Sequence, residues 1–337
     1  MGKLVKKAIK LDSLIRWYLT DLEEYSSVTK RMKEYKEEIL SHGEDAYAEF
    51  NIKLIDFCVF GTDNEKLNNM ITNRYLSVAT NNMLKIKNAR YLIDYVSLLD
   101  AIKKHDKVKF ANFNIDYNKF SKAVAETGDL PRNCDWIDMF GKYNEYDANY
   151  ELLLNSNDPD SALYLANSLD LSTEDFKKCE GVVLAAKNPF LSTSFAQIDG
   201  ANKAKHRKVV INSKDSENNG AYLISERCTK KQIEEHKQAI YTSKDKNKLK
   251  TLVHVILRKP EIFTENEIND IVKMIVKYQK IDLAKVILTS ESLTFANKTK
   301  LENLISKMEN KTIDTMDVKV VKKIKKQQCK NKDTLSL

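Results

Sequence analysis

Eight glycines and four prolines in 337 residues leave this chain few places to turn sharply. A many-stranded sandwich or barrel consumes turn-makers, so their scarcity favours long helices with short polar joints. The apolar fraction of 42% is enough to build a sizeable core in one large or two ordinary domains. The expected fold class is therefore all-α.

Helical periodicity supports this. Leu14, Ile15, Tyr18, Leu19 and Leu22 follow a plausible N-cap at Asp12. The pattern continues through Met32, Tyr35 and Ile39 to His42-Gly43, as one long helix or a broken pair. A helix over 44–60 ends at Gly61, and Thr62-Asp63-Asn64-Glu65 reads as the capping box of the next. One helix is expected from Asn82 to about Lys104, through Leu84, Leu92, Ile93, Val96, Leu99 and Ile102. Shorter ones are expected near 116–127, capped by Asp116 and stopped by Gly128, and near 146–156. The stretch Leu130-Pro131-Arg132-Asn133-Cys134-Asp135-Trp136 reads as a domain joint.

Beyond residue 150 one unit recurs: an apolar helix, a polar joint, a Ser or Thr cap and a second helix. Ala162–Asn167 with Leu171-Ser172-Thr173 parallels Val182–Pro189 with Leu191-Ser192-Thr193. Later versions pair Tyr222-Leu223-Ile224 with Thr229–Gln232, Val253–Leu257 with Thr264–Glu267, and Val286-Ile287-Leu288 with Leu293-Thr294. Ile268, Ile271, Val272, Ile275 and Val276 form one apolar stripe, as do Leu301, Leu304, Ile305 and Met308. A lone helix pair cannot bury its stripe, so stacking on neighbours is the economical solution.

The stretch Ala185-Ala186-Lys187-Asn188-Pro189-Phe190-Leu191-Ser192-Thr193, followed by Lys205–Asn212, resembles the HEAT-like leucine-rich-variant helical repeats of some bacterial and bacteriophage proteins. The resemblance covers about residues 150–310. It implies an irregular array of helical hairpins, a HEAT-like α-solenoid, behind an N-terminal helical domain; the stacking of repeats in turn suggests a non-enzymatic scaffold that binds a protein partner. Cap spacings of 20, 37, 35 and 30 residues from Ser172 to Thr294 depart from a regular superhelix. The expected organisation is an N-terminal helical region over 1–130, helical repeats over 131–315 and a basic, disordered tail over 316–337.

The net charge of +8 is concentrated at the ends. Residues 319–332 hold seven lysines, among them Lys319, Lys322, Lys323, Lys325 and Lys326, and no acid; Lys3, Lys6, Lys7 and Lys10 stand alone likewise at the start. The remainder is slightly acidic, a pattern of solvated tails. Lys203, Lys205, His206, Arg207 and Lys208 form a further run, and Lys244, Lys246, Lys248 and Lys250 another. Aligned on one surface, such lysines and arginines would neutralise phosphates, which makes nucleic-acid binding through Lys203, Lys205, Arg207, Lys208 and the tail the alternative reading.

No cofactor or metal is expected. The five histidines lack a second His or Cys at i+3 or i+4, and His254, within an apolar helix, reads as a core residue. Glycine-rich phosphate loops are absent. Asp135 and Asp138, at i and i+3 beside Tyr143, Glu145, Tyr146, Asp147 and Tyr150, are the carboxylates an enzyme reading would use. They serve equally as caps and packing at a joint.

Five cysteines without a CxxC pair suggest neither a disulfide framework nor a zinc ribbon, and point to a reducing cytosol. Neither a secretory signal nor a membrane span is expected, and Lys6 occupies the position where a myristoylation motif wants Ser or Thr. A cytoplasmic location follows. The Lys-, Asn- and Ile-rich composition suits an AT-rich genome such as a phage's, for which the location is the host cytoplasm.

Overall fold

The computed structural model describes residues 2–25, 27–141 and 148–309, with side chains from residue 11 onward. Among the described residues the structure is helical, with no β-strand. Contacts divide the chain into two compact units, Met1–Cys179 and Glu180–Leu337.

The amino-terminal unit holds α1 (Gly2–Tyr25), α2 (Lys30–Leu40), α3 (Glu44–Phe60), α4 (Glu65–Asn68), α5 (Asn73–Met83), α6 (Ala89–His105), α7 (Tyr117–Glu126), α8 (Leu130–Phe140), α9 (Ala148–Asn155) and α10 (Pro159–Ser168). It ends within α11 (Thr173–Ala186). The carboxy-terminal unit continues with α12 (Pro189–Phe195), α13 (Lys203–Ser213), α14 (Ser216–Ser225), α15 (Lys230–Thr242), α16 (Lys248–Arg258), α17 (Glu265–Lys277) and α18 (Ile281–Ile287). A final helix, α19, spans 295–309.

Several joints differ from expectation. Asp12 lies inside α1, and α1 and α2 form the broken pair. Thr62 is not a cap: Asn64 caps the single turn of α4, accepting from the Lys66 amide, while its own amide donates to Thr62 Oγ1. The helix expected from Asn82 is two, because Leu84 caps the end of α5 and the chain re-enters at Ala89. Leu130–Trp136 is the opening of α8, with Asp129 as cap and Pro131 in its first turn, where a missing N–H costs nothing. The expected limits 1–130 and 131–315 therefore do not coincide with the two compact units.

The local repeat is also framed differently. Ser192 and Thr193 are buried inside α12, which Asn188 caps by accepting from the Phe190 and Leu191 amides. The recurring element is a residue in the left-handed region followed at once by an N-cap. It occurs at Gly128-Asp129, Asn157-Asp158, Lys187-Asn188, Lys214-Asp215 and Gln279-Lys280, with φ between 51° and 69°. This conformation reverses the chain between helices within a residue or two. Four residues beyond each cap lies a small or amide side chain: Asn133, Ala162, Ser192, Asn219 or Ala284. Seven beyond lies a large apolar one: Trp136, Leu165, Phe195, Tyr222 or Ile287. All ten are buried. Helix α16 enters without a left-handed residue and without a side-chain cap. Its register is shifted by one, so Leu252 and Val255 are the buried pair and His254 faces solvent, contrary to the core role expected for it.

Within the carboxy-terminal unit each helix from α12 to α18 packs on the next, and α12 on α14, α14 on α16, α16 on α18 and α13 on α15. The first helices of successive pairs thus lie beside one another. Capping boxes at Thr229 with Gln232 and Thr264 with Glu267 fix the second helices α15 and α17, as the sequence predicts. In the amino-terminal unit α8 packs on α10 and α7 on α9, and α1 to α8 share a core that includes Phe50, Tyr95, Phe120 and Trp136.

Candidate functional site

The neighbouring first helices α14, α16 and α18 leave a groove of about 540 Å³ between their outer faces. Its apolar wall comes from Ile224, Val253, Leu257, Leu283 and Val286, with Glu217, Lys250 and His254 among its polar lining residues. Val286 is 47% exposed although apolar. Gly220 sets the spacing of two of these helices: a methyl group there would collide with Thr251 Cγ2, so α14 and α16 meet closely only because position 220 has no side chain. The exposure of His254 follows from the shifted entry of α16, and it brings an imidazole into the groove.

The basic run at 203–208 does not form one surface. Lys203 pairs with the buried Glu226 at 2.8 Å, and Arg207 pairs with Glu235. The Arg207 guanidinium, the nearest hydrogen-bonding partner, holds the Glu235 carboxyl below its usual range. His206 is buried, stacked on Phe195 at 5.0 Å, with Nε2 3.4 Å from Glu180 Oε1; burial lowers its pKa. Lys205 and Lys208 remain exposed, and both line a separate depression. The run at 244–250 divides similarly: Lys248 donates to the carbonyls of Tyr241 and Ser243, whereas Lys250 reaches the groove. Lys319, Lys322, Lys323, Lys325 and Lys326 lie outside the described residues, and so do the side chains of Lys3, Lys6, Lys7 and Lys10.

The carboxylates singled out near residue 135 hold structural partners. Asp135 pairs with Arg132 at 2.8 Å, and Asp138 accepts the Tyr164 hydroxyl at 2.6 Å. Tyr150 donates to Asp175 at 2.9 Å. Burial, with Asp138 and Asp135 nearby, pushes the Cys134 thiol up to about 12, so it is protonated at neutral pH. Tyr143, Glu145, Tyr146 and Asp147 lie outside the described residues. Among the described residues no three His, Cys, Asp or Glu side chains gather as a metal site. Nor is any helix there long and apolar enough to cross a membrane.

Sequence reasoning did not anticipate three features here: the groove, the close approach at Gly220 and the buried charge of Lys237. Lys237 is only 2% exposed; it pairs with Glu234 at 2.8 Å and with Glu267, and donates to the Ile262 carbonyl at 3.2 Å. A partial signal was present: Asn157-Asp158, Lys187-Asn188 and Lys214-Asp215, 30 and 27 residues apart, mark three joints, while the hydroxyl residues Ser172, Thr229, Thr264 and Thr294 cap helices as expected. Comparison of the chain with protein-family models, with curated proteins and with solved structures gave no match in any of the three.

Proposed function

We propose that this protein is a non-enzymatic helical-repeat scaffold that holds a segment of a protein partner in the groove across α14, α16 and α18. The observation that carries the reading is an apolar trough made by three successive first helices, with exposed Val286 on its wall. Exposed apolar surface in a concave, polar-edged site costs free energy in the unbound protein and is regained when a complementary apolar face covers it. Recurrence of the left-handed joint, and the packing of each first helix on the next, support the repeat-array part of the reading. An amphipathic helix presenting apolar side chains at i, i+3, i+4 and i+7 fits a trough of this kind.

The test is a photo-crosslinking residue placed at Val286, compared with one at Lys231, in cells that make the protein. Partners captured at Val286 but not at Lys231, and lost when Ile224→Glu is added, support the groove. Equal capture from both positions removes it.

A further inference from the structure

A second concavity of the carboxy-terminal unit carries a separate chemistry. It encloses about 450 Å³ and is lined by Lys187, Lys205, Lys208 and Asn212 over the side chains of Leu184 and Val209. Lys205 and Lys208, three residues apart on α13, share a helix face. Lys187 is delivered by the left-handed joint before Asn188. On the same helix Lys203 and Arg207 are ion-paired. By contrast no carboxylate lines this depression, and none of its three lysines is in an ion pair among the described residues.

Three ammonium groups of one sign around one concavity raise the local potential and attract anions. Mobile ammoniums bind phosphate as point charges, and Asn212 adds an amide donor. The volume suits a small ligand, and Leu184 and Val209, both half-buried, offer an apolar floor. A nucleic-acid backbone asks for positive charge that continues along a track. Here it stops, because the depression lined by α13 and α15 sets Glu234 and Glu235 beside Lys214 and Lys231.

We propose that Lys187, Lys205 and Lys208 hold the phosphate of a small phosphorylated organic molecule whose carbon portion rests on Leu184 and Val209. This site is independent of the protein-binding groove. The experiment titrates the full-length protein with phenyl phosphate, inorganic phosphate and a thymidine oligonucleotide, following heat and amide NMR shifts at constant ionic strength. Lys205→Gln/Lys208→Gln is compared with Lys231→Gln/Lys244→Gln, which removes the same charge elsewhere; the single Lys208→Gln serves if the first pair does not fold. Phenyl phosphate is expected to bind with 1:1 stoichiometry, more tightly than inorganic phosphate. The first pair should weaken it about tenfold or more, and the second by less than about twofold. Equal weakening in both variants, or no binding by about 5 mM, overturns the proposal. So does an oligonucleotide that binds more tightly than phenyl phosphate and is lost in the first variant.

Discussion

The two compact units use the same helix-entry device but fill what lies behind it differently. At α8 the buried amide Asn133 donates, among the described residues, to its own cap carbonyl at Asp129, and Trp136 three residues later completes an apolar core. At α14 the equivalent Asn219 donates to Asp215 O and Val210 O and accepts from His236 Nδ1 at 2.7 Å, joining three helices, while Tyr222 stacks on that imidazole at 4.7 Å. Because the Asn219 amide nitrogen is committed to carbonyls, its oxygen faces His236, which fixes the neutral ring with its proton on Nδ1. The carboxy-terminal unit also buries His206, Lys237, Glu226 and Asn297. The amino-terminal unit has buried polar contacts of its own, such as Asn149 donating to Ser121, but among the described residues the buried histidines and the buried lysine lie in the carboxy-terminal unit, whose polar network is costly to leave half-satisfied.

The comparison can be broken at four points, each read by denaturant titration with peptide-level hydrogen exchange to locate the loss. Trp136→Ala should cost the amino-terminal unit about 4 kcal/mol, through lost apolar burial and the cavity left behind. A loss below about 2 kcal/mol would mean that this core tolerates voids and is not close-packed. Asn219→Ala should cost about 2–3 kcal/mol, because buried His236 loses its partner and Val210 O keeps only the Ser213 hydroxyl, against about 1 kcal/mol for Asn133→Ala. Equal costs would erase the distinction between the units.

Acidification comes next. Burial, helped by the Arg207 charge, lowers the His236 pKa to about 4, so the unfolded chain binds a proton that the folded one refuses. Stability of the carboxy-terminal unit then falls as pH drops below about 6.5, by about 2 kcal/mol on reaching pH 5. The window lies above the carboxylates, whose lowered values at Asp245 and Glu267 matter only in stronger acid. His206, also lowered by burial, adds to the fall in the same direction, so His236→Gln should remove the share of His236 and leave that of His206, and an unchanged slope would place the titrating group elsewhere. Thr264→Ala, removing half of a reciprocal cap on α17, should cost about 1 kcal/mol, seen as faster exchange over the first turn of that helix.

Much of the architecture was legible because helices announce themselves locally. The apolar stripe of α17 and the boxes at Thr229 and Thr264 depend on residues three and four apart, and they stand where periodicity placed them. Three of the departures share one cause. At Thr62, Ser192 and Thr193 the hydroxyl predicts a cap, yet the amide side chains of Asn64 and Asn188 accept the free N–H groups, and two of the hydroxyls are buried instead. For the site, the sequence pointed to charge and the structure redistributed it: Lys203 and Arg207 are neutralised by acids 23 and 28 residues away, which no local pattern reveals.

What this sequence determined alone is the helical class, through its shortage of chain-reversing residues and the period of its apolar positions, both properties of short stretches of chain. Only tertiary structure decided which histidines are buried, which lysines stay free of acids, and that α14, α16 and α18 border one groove. Those outcomes depend on how one helix is rotated against the next, and a single residue at a joint, such as the missing left-handed turn before α16, changes that rotation by about 100°.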